Sequence, residues 1–266
     1  MEENEVIEGK NNSVLWLSHA LVAIVTVVIL VVLLALQPWS GSPVTAVNSF
    51  RMSMSSSFAE GDMSEEALQE MEHNVPDRIH IILNPEDENQ EIIIIGEDLY
   101  VNDERYVVGY ESIAILASLA AMVPSEEHTK TILEPLTDVE EFSVKSIDGV
   151  TCRHYRGRMD LVASIEEQIA GLDPEQPNYD MMVEALSGQI ETVREIKTRI
   201  DIWVGKDDGF VRQIRYEVQM PSEYSESPTV SIQSIKYYDI NKSITIEAPL
   251  DSAGELLPGW YRASSS

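Results

Sequence analysis

The feature that most constrains this chain is a 23-residue run, Val14 to Leu36, with only three polar members, Ser18, His19 and Thr26. No charged residue falls between Lys10 and Arg51. At about 1.5 Å of rise per residue the run reaches about 35 Å as a helix, enough for a bilayer core of roughly 30 Å. Trp16 and Trp39 stand near its two ends, where membrane interfaces hold aromatic rings. Pro38 and Ser40-Gly41-Ser42-Pro43 stop the helix and open a linker. Val44-Thr45-Ala46 offers a small-residue cleavage site, but the run is longer than a signal peptide's apolar core. The flank before it is also acidic, with Glu2, Glu3, Glu5 and Glu8 against Lys10. The expectation is an uncleaved single-pass anchor. The organisation that follows is a short acidic tail at 1–13, a transmembrane helix at 14–36, a linker at 37–45, a folded body at 46–250 and a C-terminal tail at 251–266. Lys10 lies closer to the run than Arg51 does, so positive-inside counting puts the N-terminus in the cytoplasm and the body outside the cell membrane.

The body is acidic. The chain carries 46 Asp and Glu against 18 Lys and Arg, a net of −28, and the N-terminal tail accounts for only −3 of it. Nucleic-acid phosphates need a basic footprint, so nucleic acid is excluded as a partner. The same sign opposes docking of the body on anionic lipid. Hydrophobic residues are 44% of the chain, which excludes wholesale disorder. A single cysteine, Cys152, excludes an intramolecular disulfide and any multi-cysteine metal site.

From Ala46 onward the pattern is mostly period two. Arg78 to Leu83 puts Ile79, Ile81 and Leu83 on one face, and Glu91 to Ile95 is a β-branched run ending at Gly96. Asp98 to Val101 and Tyr106 to Val108 read as a hairpin around Asn102 to Arg105. Asp148-Gly149 between Glu141–Lys145 and Val150–Tyr155 is a strong two-residue hairpin signal, because both turn positions want positive φ. Ile200–Val204 and Ile214–Met220 form a further pair joined by Lys206 to Gly209, and the last strand runs from Val230 to Ile240. Helical periodicity is confined to the middle. Glu111 to Val123 is apolar on nearly all sides, and Ser125 to Leu133 is a second short helix. A third helix is capped by Asp160 and carries Leu161, Ile165 and Ile169 on one stripe. A fourth, Asn178 to Ile190, spaces Met182, Leu186 and Ile190 by four. Hairpin-linked strands of this regularity give an α+β fold built on one antiparallel sheet, with a packed face, a wet face and helices on one side.

Known catalytic spacings are missing. There is no Gly-x-Gly-x-x-Gly, Gly-x4-Gly-Lys, His-Glu-x-x-His, Gly-x-Ser-x-Gly or Ser-x-x-Lys. The five histidines lack metal-ligand spacing. Asp87, Asn89 and Glu91 alternate in an acidic loop without the glycine a calcium turn needs, and read as solvated charge. His80 and His154 on strands read as satisfied histidines, and Cys152 in an apolar strand as an inert small hydrophobe. The chain is therefore expected to be no enzyme and to need no cofactor or metal.

Several segments in this order resemble a known group. They are Phe50-Arg51-Met52; Pro76-Asp77-Arg78-Ile79-His80; Ile94-Ile95-Gly96-Glu97-Asp98-Leu99-Tyr100-Val101; Ile202-Trp203-Val204-Gly205-Lys206-Asp207-Asp208-Gly209; and Tyr237-Tyr238-Asp239-Ile240-Asn241. The chain resembles the LolA-like superfamily, and within it the LppX/LprA/LprF/LprG-type lipoproteins. That resemblance implies a curled antiparallel half-barrel with helices covering its concave face, and a hollow holding acyl chains of lipids or lipidated proteins. Each buried methylene contributes about 0.8 kcal/mol, so area alone can hold such a chain. On this reading the lining comes from Ile115, Leu116, Leu119, Met122, Met182, Leu186, Trp203, Tyr216 and Val218. The chain departs from the group in carrying an apolar run where lipoproteins have a lipidated cysteine. A tethered lipid carrier, chaperone or sensor is the first expectation. A regulatory ectodomain of the RseB type, acting through an envelope protein partner, is the alternative.

Overall fold

The computed structural model describes residues 47–60, 63–83, 90–96, 98–102, 123–221 and 228–263. The chain divides at Gly41/Ser42, and every described residue belongs to the second unit. The apolar run at 14–36, residues 111–122 of the helix expected at 111–123 and residues 85–89 of the acidic loop at 85–91 lie outside the described residues. Among the described residues, no helix is long and apolar enough to cross a membrane.

Eleven strands form one antiparallel, curled sheet. They are β1 (Ser49–Glu60), β2 (Met63–Asn74), β3 (Arg78–Leu83), β4 (Gln90–Ile95), β5 (Asp98–Val101), β6 (Leu136–Ile147), β7 (Val150–Met159), β8 (Lys197–Gly205), β9 (Val211–Met220), β10 (Thr229–Tyr238) and β11 (Tyr261–Ala263). Their order across the sheet is β11-β5-β4-β3-β2-β1-β10-β9-β8-β7-β6. Three helices are described: α1 (Glu126–Leu133), α2 (Leu161–Gly171) and α3 (Tyr179–Arg194).

Local signals account for much of this. Ser125 caps α1 by accepting from the His128 amide at 2.9 Å, and Asp160 caps α2 by accepting from the Ala163 amide at 3.0 Å. Asp148 and Gly149 take φ of 48° and 81°, as a two-residue turn between antiparallel strands requires, and set Ile147 opposite Val150. Along β9 burial alternates strictly from Ile214 to Met220.

Two features differ from the sequence reading, and Tyr106–Val108, the expected hairpin partner of Asp98–Val101, lies outside the described residues. β5 is paired on both of its edges. Leu99 faces Ile94 on β4 and Ala263 on β11. Tyr261–Ala263, assigned from sequence to the C-terminal tail, is thus an edge strand. Met63–Asn74, which has no clear alternation and is rich in helix formers, is strand β2, paired with β1 from Ser49↔Asn74 to Glu60↔Met63. Pairing on both sides overrides local propensity there.

Cross-strand pairs fix which residues share a face. One rung runs Tyr155, Ile202, Ile214, Ile235, Met54, Gln69, Leu83 and Gln90 across eight strands. A second runs Tyr237, Met52, Met71, Ile81, Ile92 and Val101 across six. This apolar face holds most of the core, with Phe50, Ile202 and Ile214 fully buried. Alternate residues make the other face polar. There Arg51 bonds Glu72 at 2.7 Å and Asp239 at 2.6 Å, and His80 Nε2 lies 3.0 Å from Glu91 Oε2. Two small apolar clusters also sit on the polar face. One is Ile93 and Tyr100 under Ile244 and Ile246, and the other is Cys152 and Trp203 with Ile147.

Candidate functional site

The apolar face is the candidate ligand surface. Ile200 pairs with Tyr216, and Thr198 with Val218, so Tyr216 and Val218 both lie on it, at 4% and 6% exposure. Its polar members are few, and the Tyr237 hydroxyl has no hydrogen-bond partner among the described residues. Gln233, opposite Tyr216, donates from Nε2 to Met54 Sδ at 3.2 Å. Toward one end of the face Met54, Phe58 and Leu83 stay half-buried. Apolar side chains there are incompletely covered, which is where an entering chain would first gain area.

At the other end α1 packs against β9, held by Thr129 Oγ1 donating to the Gly209 carbonyl at 2.8 Å. Four rings meet beneath it. Phe50 lies 5.0 Å from His73 and 5.9 Å from Tyr237, and His128 lies 6.2 Å from Tyr237. Burial drives the His128 pKa down to about 4 and lowers that of His73, while the Pro76 carbonyl partly offsets the latter. Burial raises the Tyr216 and Tyr237 phenols, so both stay neutral hydroxyls.

Of the nine residues named from sequence as lining, the five that are described are not brought to one place. Ile115, Leu116, Leu119 and Met122 lie outside the described residues. Met182 and Leu186 are half-buried on α3, a helix with no buried residue that packs on α2. Tyr216 and Val218 are on the apolar face. Trp203 is on the opposite one: it pairs with His154 and Gln213, one residue out of step with Ile202. Strand parity is the reason, since neighbouring side chains in a strand point to opposite faces.

Trp203 belongs instead to a cluster on the polar face. The His154 ring stacks on it at 4.5 Å and 7°, with Phe142 5.2 Å beyond. Lys145 lies over the indole at 5.5 Å and Arg156 over Phe142 at 4.8 Å. Asp201, 2% exposed, underlies the group, its Oδ1 2.6 Å from His154 Nε2 and accepting from Arg156 Nε at 2.8 Å. Sequence reasoning missed this cluster. Its signal was available in the alternation of His154 with Arg156 and of Asp201 with Trp203. Cys152 is fully buried and its thiol pKa is raised by burial, so it offers no nucleophile beside His154.

Next to this cluster an open cleft of about 550 Å³ is lined by Asp138, Glu140, Arg156, Gly157, Arg158, Lys197, Thr198, Arg199, Glu217 and Gln219. Among the described residues, no set of three or more His, Cys, Asp or Glu is placed to hold a metal.

The described residues form a curled antiparallel sheet with one apolar face, together with three helices. No known family pattern matches the sequence, and no curated protein matches it. Among solved structures the chain is similar to the lipoprotein LppX of Mycobacterium tuberculosis, at 11% identity and TM-score 0.41, over 76% of this chain and 91% of that one. It is similar to LprF from Mycobacterium bovis at 12% identity and TM-score 0.38, over 77% and 90%. A LolA superfamily protein from Nitrosomonas europaea follows at 10% identity and TM-score 0.23, over 76% and 89%. What any of them binds is a property of those proteins.

Proposed function

We propose that this chain is a membrane-anchored, extracytoplasmic binder of a lipid or of the acyl chain of a lipidated protein, working as carrier, chaperone or sensor and not as an enzyme. One observation carries the reading: the apolar face runs without a charged residue along two rungs of eight and six strands, and it is incompletely covered at Met54, Phe58 and Leu83. On this reading the sheet is the wall of a half-barrel with helices over its concave side. Tyr216, Val218 and Phe58 contribute to the wall. The run at 14–36 tethers the body, which suits handing lipid over at the membrane surface more than diffusion across a gap.

The test is to purify residues 44–266 without detergent and to analyse native mass spectra and organic extracts. Stoichiometric lipid is the expected result. A lipid-free protein that also fails to take up a fluorescent fatty acyl probe would overturn the reading. The alternative, a regulatory ectodomain acting through a protein partner, draws on a different observation. Edge strand β6 leaves Val139, Phe142 and Val144 exposed beside an unpaired ladder. It predicts a lipid-free body that captures one specific envelope protein.

A further inference from the structure

The cleft on the polar face carries an ordered set of charges. Strands β7 and β8 pair in register only as far as Gly157↔Ile200. Beyond that, Thr198 Oγ1 takes over, accepting from the Met159 amide at 2.9 Å and donating to the Met159 carbonyl at 3.1 Å. The ladder gives way to a side chain there, at the mouth of the cleft. Its middle two strands carry four bases, Arg156 and Arg158 on β7 and Lys197 and Arg199 on β8. Its two flanks carry carboxylates, Asp138 and Glu140 on β6 and Glu217 on β9. Four of the chain's 18 basic residues thus line one cleft in a protein of net charge −28.

The pairings leave capacity at both poles. Arg158 pairs with Asp138 and Arg199 with Glu217, while Arg156 commits Nε to Asp201. No ion pair engages Lys197 or Glu140 among the described residues. Arg158 and Asp138 are both more than 60% exposed, so that pair is weak enough to be exchanged for a ligand's oxygens, while Arg156 and Arg199, 40% and 41% exposed, keep their carboxylates and present the rest of their guanidinium groups to the cleft. Guanidinium forks and an ammonium suit a phosphate. A ligand with a full negative charge would meet the repulsion of the whole chain, whereas one that also carries an ammonium would not.

We propose that this cleft binds a zwitterionic phosphodiester of the phosphoethanolamine type. Its phosphate lies over Arg156, Arg158, Lys197 and Arg199, and its ammonium turns to Glu140. The site is separate from the apolar face and does not depend on it. A lipid headgroup and a free glycerophosphodiester share this chemistry.

The test uses the full chain in neutral maltoside micelles and calorimetric titration with two soluble probes of similar size, glycerophosphoethanolamine and glycerophosphoglycerol. In parallel, micelles are doped with phosphatidylethanolamine or phosphatidylglycerol. Saturable binding of the ethanolamine probe, about tenfold tighter than the glycerol probe, is expected. K197A and R158A should each weaken it by about tenfold. E140Q should weaken the ethanolamine probe severalfold and leave the glycerol probe no weaker, a sign pattern that a merely structural role for Glu140 would not give. Binding only in the doped micelles, with the same E140Q response, identifies a lipid headgroup; binding of the soluble probe identifies a free diester as sufficient. The proposal is overturned if the glycerol probe binds as well as the ethanolamine probe, if E140Q affects neither, or if no binding occurs in either format.

Discussion

His128 on α1 meets Tyr237 on β10 edge to face, ring centroids 6.2 Å apart, and neither the imidazole nitrogens nor the phenol oxygen has a hydrogen-bond partner among the described residues. Both groups are buried because Thr129 ties α1 to the Gly209 carbonyl over the apolar face. The contact tolerates a neutral imidazole and opposes a charged one.

Acid should therefore weaken the fold through His128. Its pKa falls from an ordinary 6.5 to about 4 on folding, so between those values the unfolded chain binds a proton that the folded chain refuses. The stability from keeping it neutral is complete above pH 6.5 and declines as the pH drops. It is lost near pH 4, by about 3 kcal/mol. The lowered His73 pKa acts in the same direction. In denaturant melts, going from pH 7.5 to pH 4.5 should cost the wild type roughly 2–3 kcal/mol more than it costs His128→Phe. Parallel loss in both proteins would contradict the assignment.

Asp201 holds His154 and Arg156 through one oxygen, with Arg199 Nε 3.5 Å from the other. Asp201→Ala leaves three basic groups around a buried gap. Removing one partner of a buried pair usually costs 3–5 kcal/mol, but Arg156 and Arg199 are about 40% exposed and water can replace the carboxylate. A loss of about 2 kcal/mol is expected in urea unfolding.

Strand parity separates Trp203 from Val218 in any lipid assay. Val218→Thr puts a hydroxyl into the apolar wall at a cost of about 1–2 kcal/mol, or roughly tenfold in acyl-probe affinity. Trp203→Phe, on the other face, should leave that affinity unchanged while lowering the melting temperature. Equal effects of the two on probe binding would place the ligand elsewhere.

Cys152 has no exposure and a raised thiol pKa. Native protein at pH 8 should resist iodoacetamide for hours and react stoichiometrically in urea, as read by intact mass.

How much of this was legible beforehand depended on distance along the chain. The Asp160 cap, the short helix beginning at Ser125 and the Asp148-Gly149 turn are local signals, and the structure has the cap and the turn where the sequence puts them, with the short helix starting one residue on at Glu126 and Ser125 as its cap. Strand β2 was not legible, since Met63–Asn74 lacks alternation and gains its conformation from β1 and β3. The role of Tyr261–Ala263 was hidden too, because the edge it fills is about 160 residues away. The charged cleft escaped for the same reason: β6 and β7 are joined by a short turn, but Lys197 and Arg199 reach it only across two intervening helices.

By itself, then, the sequence determined the acidic charge, the membrane-length apolar run, the strand alternation and the turns that join neighbouring strands. These follow from backbone preferences and from the solvation of a few adjacent side chains. Tertiary structure alone decided the strand order and, through register, which residues share a face. That choice set Tyr216 and Val218 against the core, turned Trp203 to the other side and gathered four bases beside Glu140. It rests on pairings such as Arg51 with Tyr238, where hydrogen bonding and burial act between residues nearly two hundred positions apart.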